Sequence, residues 1–141
     1  MSEVHRPRRR WRSAAALLLG FLVGAVLSLG TDVVLRAFGI FPPWDQPMSD
    51  ALFLLATAYR IVYNAAGCYI MARLAPDRPM QHALVGGVVG LVLSLVGAVA
   101  TWNRGLGPHW YPLALVATAM PCAWVGGRLR LMQLRAPAGR L

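Results

Sequence analysis

Residues 13–37 read SAAALLLGFLVGAVLSLGTDVVLRA. No charge appears before Asp32, and Arg36 closes the run. A helix crossing a bilayer needs about 20 predominantly apolar residues, and this stretch supplies them. Three further apolar stretches follow at about 51–74, 83–101 and 113–127, separated by short segments rich in Pro, Gly, Trp and Arg. The expectation is an all-α integral membrane four-helix bundle. Its parts are a basic cytoplasmic tail over 1–12, a four-span transmembrane domain over 13–128 and a basic cytoplasmic tail over 129–141. No segment is left over to bury a soluble core.

The basic residues preceding 13–37 invite a reading as a signal peptide. The apolar run is longer than an ordinary h-region, however, and no A-x-A cleavage pattern follows it. It reads as a retained span.

Charge placement orients the chain. All 14 basic residues are Arg, in a chain of net charge +9. Arg6, Arg8, Arg9, Arg10 and Arg12 precede the first stretch, Arg73 and Arg78 fall between the second and third, and Arg128, Arg130, Arg135 and Arg140 follow the fourth. Eleven Arg therefore share one side, against Arg36 and Arg104 on the other, where Asp45 and Asp50 also lie. The positive-inside pattern predicts both termini in the cytoplasm of a bacterial inner membrane. The N-terminal Arg cluster abuts a span, so anionic headgroups rather than nucleic acid are its expected partner. Trp44, Trp102, Trp110 and Tyr111 fall at the outer interface and Trp11 at the inner one, as an aromatic belt requires.

The chain repeats itself. At a shift of 66 residues, Gly20, Val23, Gly24, Val26, Leu27, Ser28 and Leu29 match Gly86, Val89, Gly90, Val92, Leu93, Ser94 and Leu95. Gly39, Pro42 and Trp44 then match Gly105, Pro108 and Trp110. Two tandem helical hairpins in parallel repeat are predicted, related by an axis along the membrane normal. Gly20, Gly24 and Ser28, and likewise Gly86, Gly90 and Ser94, recur every four residues. Small residues at that spacing let helix backbones approach closely. The first and third spans are expected to meet along these grooves.

Helix boundaries have their own signals. Pro42, Pro43 and Pro47 forbid a continuous helix across the first connection. Ser49 suits an N-cap, Pro79 suits a first helical turn, and Pro121 is expected to kink the fourth helix.

Two charges are out of place in an apolar core. Arg60 lies ten residues into the second stretch, roughly 15 Å deep at the helical rise. An unpaired Arg near the midplane costs at least about 2.5–3.5 kcal/mol. Asp32 lies near the outer end of the first stretch, within an Arg side chain's reach. An intramembrane polar site is predicted: an Asp32–Arg60 ion pair with Asn64 and Tyr63 as hydrogen-bond partners on the same helical face. Tyr59 is expected to point elsewhere. Arg36 competes for Asp32 or snorkels outward.

Enzymatic chemistry is not indicated. The sequence has no phosphate loop, metalloprotease helix or nucleophile elbow, and no catalytic residues are assigned. Cys68 and Cys122 read as reduced apolar fillers. The histidines have no metal-ligand spacing, so no metal and no cofactor is expected. Two functions fit. One is a small oligomeric transporter or channel-like protein whose polar centre is Asp32 and Arg60. The other is an accessory or scaffold subunit packing against a larger membrane complex, with the ion pair a structural lock. The expected partners are the lipid bilayer and either a second copy or another membrane protein.

Overall fold

The computed structural model describes residues 5–136. Within them the chain forms four helices and no strand: α1 (His5–Ala37), α2 (Asp50–Leu74), α3 (Pro79–Thr101) and α4 (Trp110–Arg135). α1 from Arg10 onward, α2 and α3 are each long and apolar enough to cross a membrane. α4 is less apolar, because Arg128, Arg130 and Arg135 occupy its last turns.

Helix and apolar run do not end together. α1 begins at His5, well before the apolar residues, and α4 continues through the Arg-rich segment to Arg135. The segments expected as separate basic tails are thus largely helical where described. Backbone hydrogen bonding does not depend on apolar side chains, and Arg is a good helix former. Arg140 and the side chains before Arg10 lie outside the described residues.

α1 ends in a Schellman motif. The amide of Ile40 donates to the Leu35 carbonyl at 2.9 Å and that of Gly39 to the Arg36 carbonyl at 2.9 Å. Gly39 takes the left-handed φ of 71° that this geometry needs. The chain then folds back, burying Phe41. Gly105, its counterpart in the repeat, also has a left-handed φ, 62°. Ser49 occupies the N-cap of α2 with extended backbone, but its hydroxyl makes no capping bond. Pro79 begins α3, and α4 runs on through Pro121.

The four helices pack through small residues. Ala72, Ala83, Ala123 and Cys68 form the buried cluster. Most large apolar side chains point outward: Leu18 is 69% exposed and Val99 77%, whereas Ala83 and Ala123 are 0%. A water-soluble fold buries its large apolar residues; this arrangement suits a surface solvated by lipid. α2 is central, touching α1, α3 and α4, while α3 packs most extensively on α4. Added to Gly126, a Cβ would lie 2.6 Å from the Tyr69 amide nitrogen and 2.7 Å from the Ala65 carbonyl. Added to Gly67, one would lie 2.7 Å from the Gly20 carbonyl. These glycines bring α4 and α1 backbone-to-backbone with α2.

The grooves of α1 and α3 do not meet, contrary to the sequence expectation. These two helices touch each other least of the packed pairs. Met71 of α2, buried at 2% exposure, lies between Gly20 and Gly86 and would be struck by a Cβ on either. The matched glycines accommodate a third helix's side chain rather than each other. Further along, α1 and α3 diverge. A Cβ on Gly24 or Gly90 would meet nothing closer than 3.7 Å or 3.9 Å respectively.

Candidate functional site

The α1–α2 contact is antiparallel, with Gly20 against Gly67 and Thr31 and Asp32 against Tyr63, Tyr59 and Arg60. That register brings the two charges together. Arg60 Nη2 donates to Asp32 Oδ2 at 2.6 Å. The Tyr59 hydroxyl donates to Asp32 Oδ1. Both carboxylate oxygens are therefore occupied, and the Asp32 side chain is only 6% exposed. A buried carboxylate with two donors is stable in low dielectric, where an unpaired one is costly.

Arg60 is tied on a second side. Its Nη1 donates to the Tyr111 hydroxyl at the start of α4. The Tyr111 ring in turn rests on Phe53 of α2, with centroids 5.0 Å apart. The pair thus joins three helices: Asp32 from α1, Arg60 from α2 and Tyr111 from α4.

Two of the residues expected at this centre do other work. Tyr63 bonds the Thr31 hydroxyl at 2.9 Å rather than Arg60. Asn64 makes no contact with the pair. It is exposed one turn further along α2, in a crevice of about 230 Å³ between α1 and α3. Gly20, Gly24 and Ser28 form one wall of that crevice and Gly86, Gly90 and Ser94 the other. Sharing a helical face did not suffice, because position 64 lies one turn, about 6 Å, further along α2, where it faces Gly24 rather than Asp32.

Tyr59 and Tyr111 are the residues that sequence reasoning missed. Tyr59, expected to point away, reaches α1, because a hydroxyl on a long aromatic arm covers the offset of one helical position. The signal was the Tyr59/Tyr63 spacing of four, which places both rings on the α1-facing side; their centroids are 5.7 Å apart. Tyr111 read as an interface aromatic. Nothing local marks it as a partner of Arg60, 51 residues earlier.

Arg36 remains near the site. Its Nη1 donates to the Asp32 backbone carbonyl at 3.3 Å. Its guanidinium lies 3.4 Å from the Trp44 ring centroid and 5.5 Å from that of Phe41. This is a cation–π clamp. The fold-back after Gly39 creates it, bringing the α1–α2 connection over the end of α1.

A cavity of about 230 Å³ adjoins these groups. Asp32, Arg36, Arg60 and Tyr111 contribute polar walls; Phe41, Trp44, Phe53 and Leu106 contribute apolar ones. Gln46 and Trp44, both exposed, form its rim, so it reaches the surface at the end of the bundle carrying the α1–α2 and α3–α4 connections. The Nε atoms of Arg36 and Arg60 are buried without a hydrogen-bond partner.

Comparison with protein-family models, with curated proteins and with solved structures finds no match for this chain. Its function has to be argued from the site.

Proposed function

We propose that the chain is a multi-pass protein of the bacterial inner membrane, acting as a small oligomeric transporter or channel-like protein. Its polar centre is Asp32 with Arg60. The observation that carries the reading is the 230 Å³ polar cavity reaching from the surface to the ion pair. An ionisable pair within apolar helices is costly, and bordering a cavity gives it a use beyond holding helices together. One four-helix unit leaves little room for a continuous path, which is why the working form is an oligomer.

In this reading α4 is the fourth span. It runs alongside α2 over most of that helix's length, from the Phe53–Tyr111 ring contact to the Tyr69–Gln133 hydrogen bond at 2.7 Å. A helix matched to a membrane-spanning neighbour in this way covers the same thickness. Both termini are then cytoplasmic, on the side of the eleven Arg. The like left-handed φ of Gly39 and Gly105 supports the tandem-hairpin repeat.

A second reading, an accessory subunit, draws on the crevice between α1 and α3. It exposes the Asn64 amide between walls that carry Ser28 and Ser94, where a partner helix would satisfy it. Flux in liposomes separates the two. Purified wild-type protein should pass small ions or polar solutes, and the folded Asp32→Leu/Arg60→Met variant should not. Equal flux in both, or none in either alongside a co-purifying membrane partner, would favour the accessory role.

A further inference from the structure

Two guanidiniums border the outer cavity and converge on one residue. Arg60 reaches the Asp32 carboxylate at 2.6 Å, and Arg36 reaches its backbone carbonyl at 3.3 Å. Among the described residues, Asp32 is the only carboxylate in the cavity wall. Two cations facing one anion leave an excess of one positive charge in a partly enclosed space. Its effective dielectric is well below that of water, so a second anion is attracted more strongly than at an open surface.

Among the described residues Arg36 makes one side-chain hydrogen bond, from Nη1 to the Asp32 carbonyl, and leaves most of its donors unused. Both oxygens of Asp32 already accept a bond, from Tyr59 and Arg60, and Arg36 bonds the Asp32 backbone carbonyl instead of the carboxylate. The Nε groups of Arg36 and Arg60 are enclosed and have no surface open to the cavity, so the terminal Nη groups are the donors available there. Guanidinium N–H groups form a planar fork that matches the paired oxygens of a carboxylate or phosphate. Trp44, stacked on Arg36, holds that fork in place at the cavity's rim.

We propose that the outer cavity is an oxyanion-binding site, in which a phosphate or carboxylate group sits between Arg36 and Arg60. The inference rests on the reading of this cavity as the solute-facing site. Tyr111 and Gln46 are further polar groups on its wall. The same chemistry is offered by a free anion and by a lipid headgroup phosphate, since the cavity lies at the connection end of the bundle.

The test is thermal unfolding of the purified full chain in a neutral detergent. Inorganic phosphate is titrated at constant ionic strength set with sodium chloride, and dihexanoyl phosphatidylglycerol is titrated separately. A saturable rise in midpoint is expected. Arg36→Gln should weaken the apparent affinity at least tenfold, and Arg36→Lys, which keeps the charge but not the fork, should weaken it less. Arg104→Gln, outside the cavity wall, should match wild type. An Arg36-dependent rise with inorganic phosphate identifies a free anion as the ligand; one with the lipid alone identifies a headgroup. The proposal is overturned if neither probe raises the midpoint, or if the rise is the same in Arg36→Gln as in wild type. It is also overturned if chloride substitution for phosphate leaves the rise unchanged. Should Arg36→Gln fail to fold, the wild-type titrations and the Arg36→Lys comparison decide alone. Anion binding without flux would sink the transport reading and leave this site standing; cation flux without anion binding would do the reverse.

Discussion

Replacing Arg60 by Gln strands the Asp32 carboxylate. That side chain is 6% exposed and would keep only the Tyr59 hydroxyl as a strong donor. Breaking a buried pair from one side costs about 3–5 kcal/mol, and Arg60→Gln is expected in that range. Asp32→Asn is expected to cost less. Arg60 is 25% exposed, borders the cavity and keeps its bond to Tyr111. The loss is then near that of one charge-assisted hydrogen bond, about 1.5–3 kcal/mol. The double variant Asp32→Asn/Arg60→Gln leaves no stranded charge and should fall short of the summed losses by at least about 1 kcal/mol, the signature of coupled neighbours. The assay is equilibrium unfolding in mixed micelles with rising SDS, followed by helical circular dichroism. Strict additivity, or a larger loss for Asp32→Asn than for Arg60→Gln, would refute this account of the site.

Two other outcomes are expected. Gly67→Ala and Gly126→Ala place a Cβ 2.6–2.7 Å from neighbouring backbone atoms, so helices must separate at a cost of about 1–3 kcal/mol. Gly24→Ala and Gly90→Ala meet only ordinary contacts at 3.7 Å and 3.9 Å and should be neutral to within about 0.5 kcal/mol in the same unfolding assay. Equal effects in the two groups would mean that the close helix approaches are misassigned. For topology, reporter fusions after Trp44 and Trp110 should read as periplasmic and one after Arg78 as cytoplasmic. A cytoplasmic reading at Trp44 would put the oxyanion cavity on the wrong side of the membrane.

The helices were legible because their causes are local. An apolar run of bilayer length, Pro in the connections and Gly39 at a helix end act through nearby backbone, and the structure has helices at all four places. Helix ends were less legible at 5–12 and 128–135. The sequence marks where apolar side chains stop, whereas the backbone continues as helix through Arg.

The small-residue stripes show how a local signal underdetermines packing. Gly20 and Gly86 advertise close approach but not the approaching group, which is Met71 from α2. A glycine groove has no side chain of its own to encode a partner, so only the three-dimensional arrangement selects one. The polar centre divides in the same way. Asp32 and Arg60 stand out in the sequence because charge in an apolar segment is costly wherever the helix goes. Which donors surround them depends on helix rotation and register, which no single helix records. Register leaves Asn64 one turn away in the crevice, rotation brings Tyr59 to Asp32, and the placement of α4 delivers Tyr111 to Arg60. The sequence by itself determined which residues must not face lipid unpaired. The tertiary structure decided which groups meet them, because that depends on helix rotations and contacts between segments far apart in the chain.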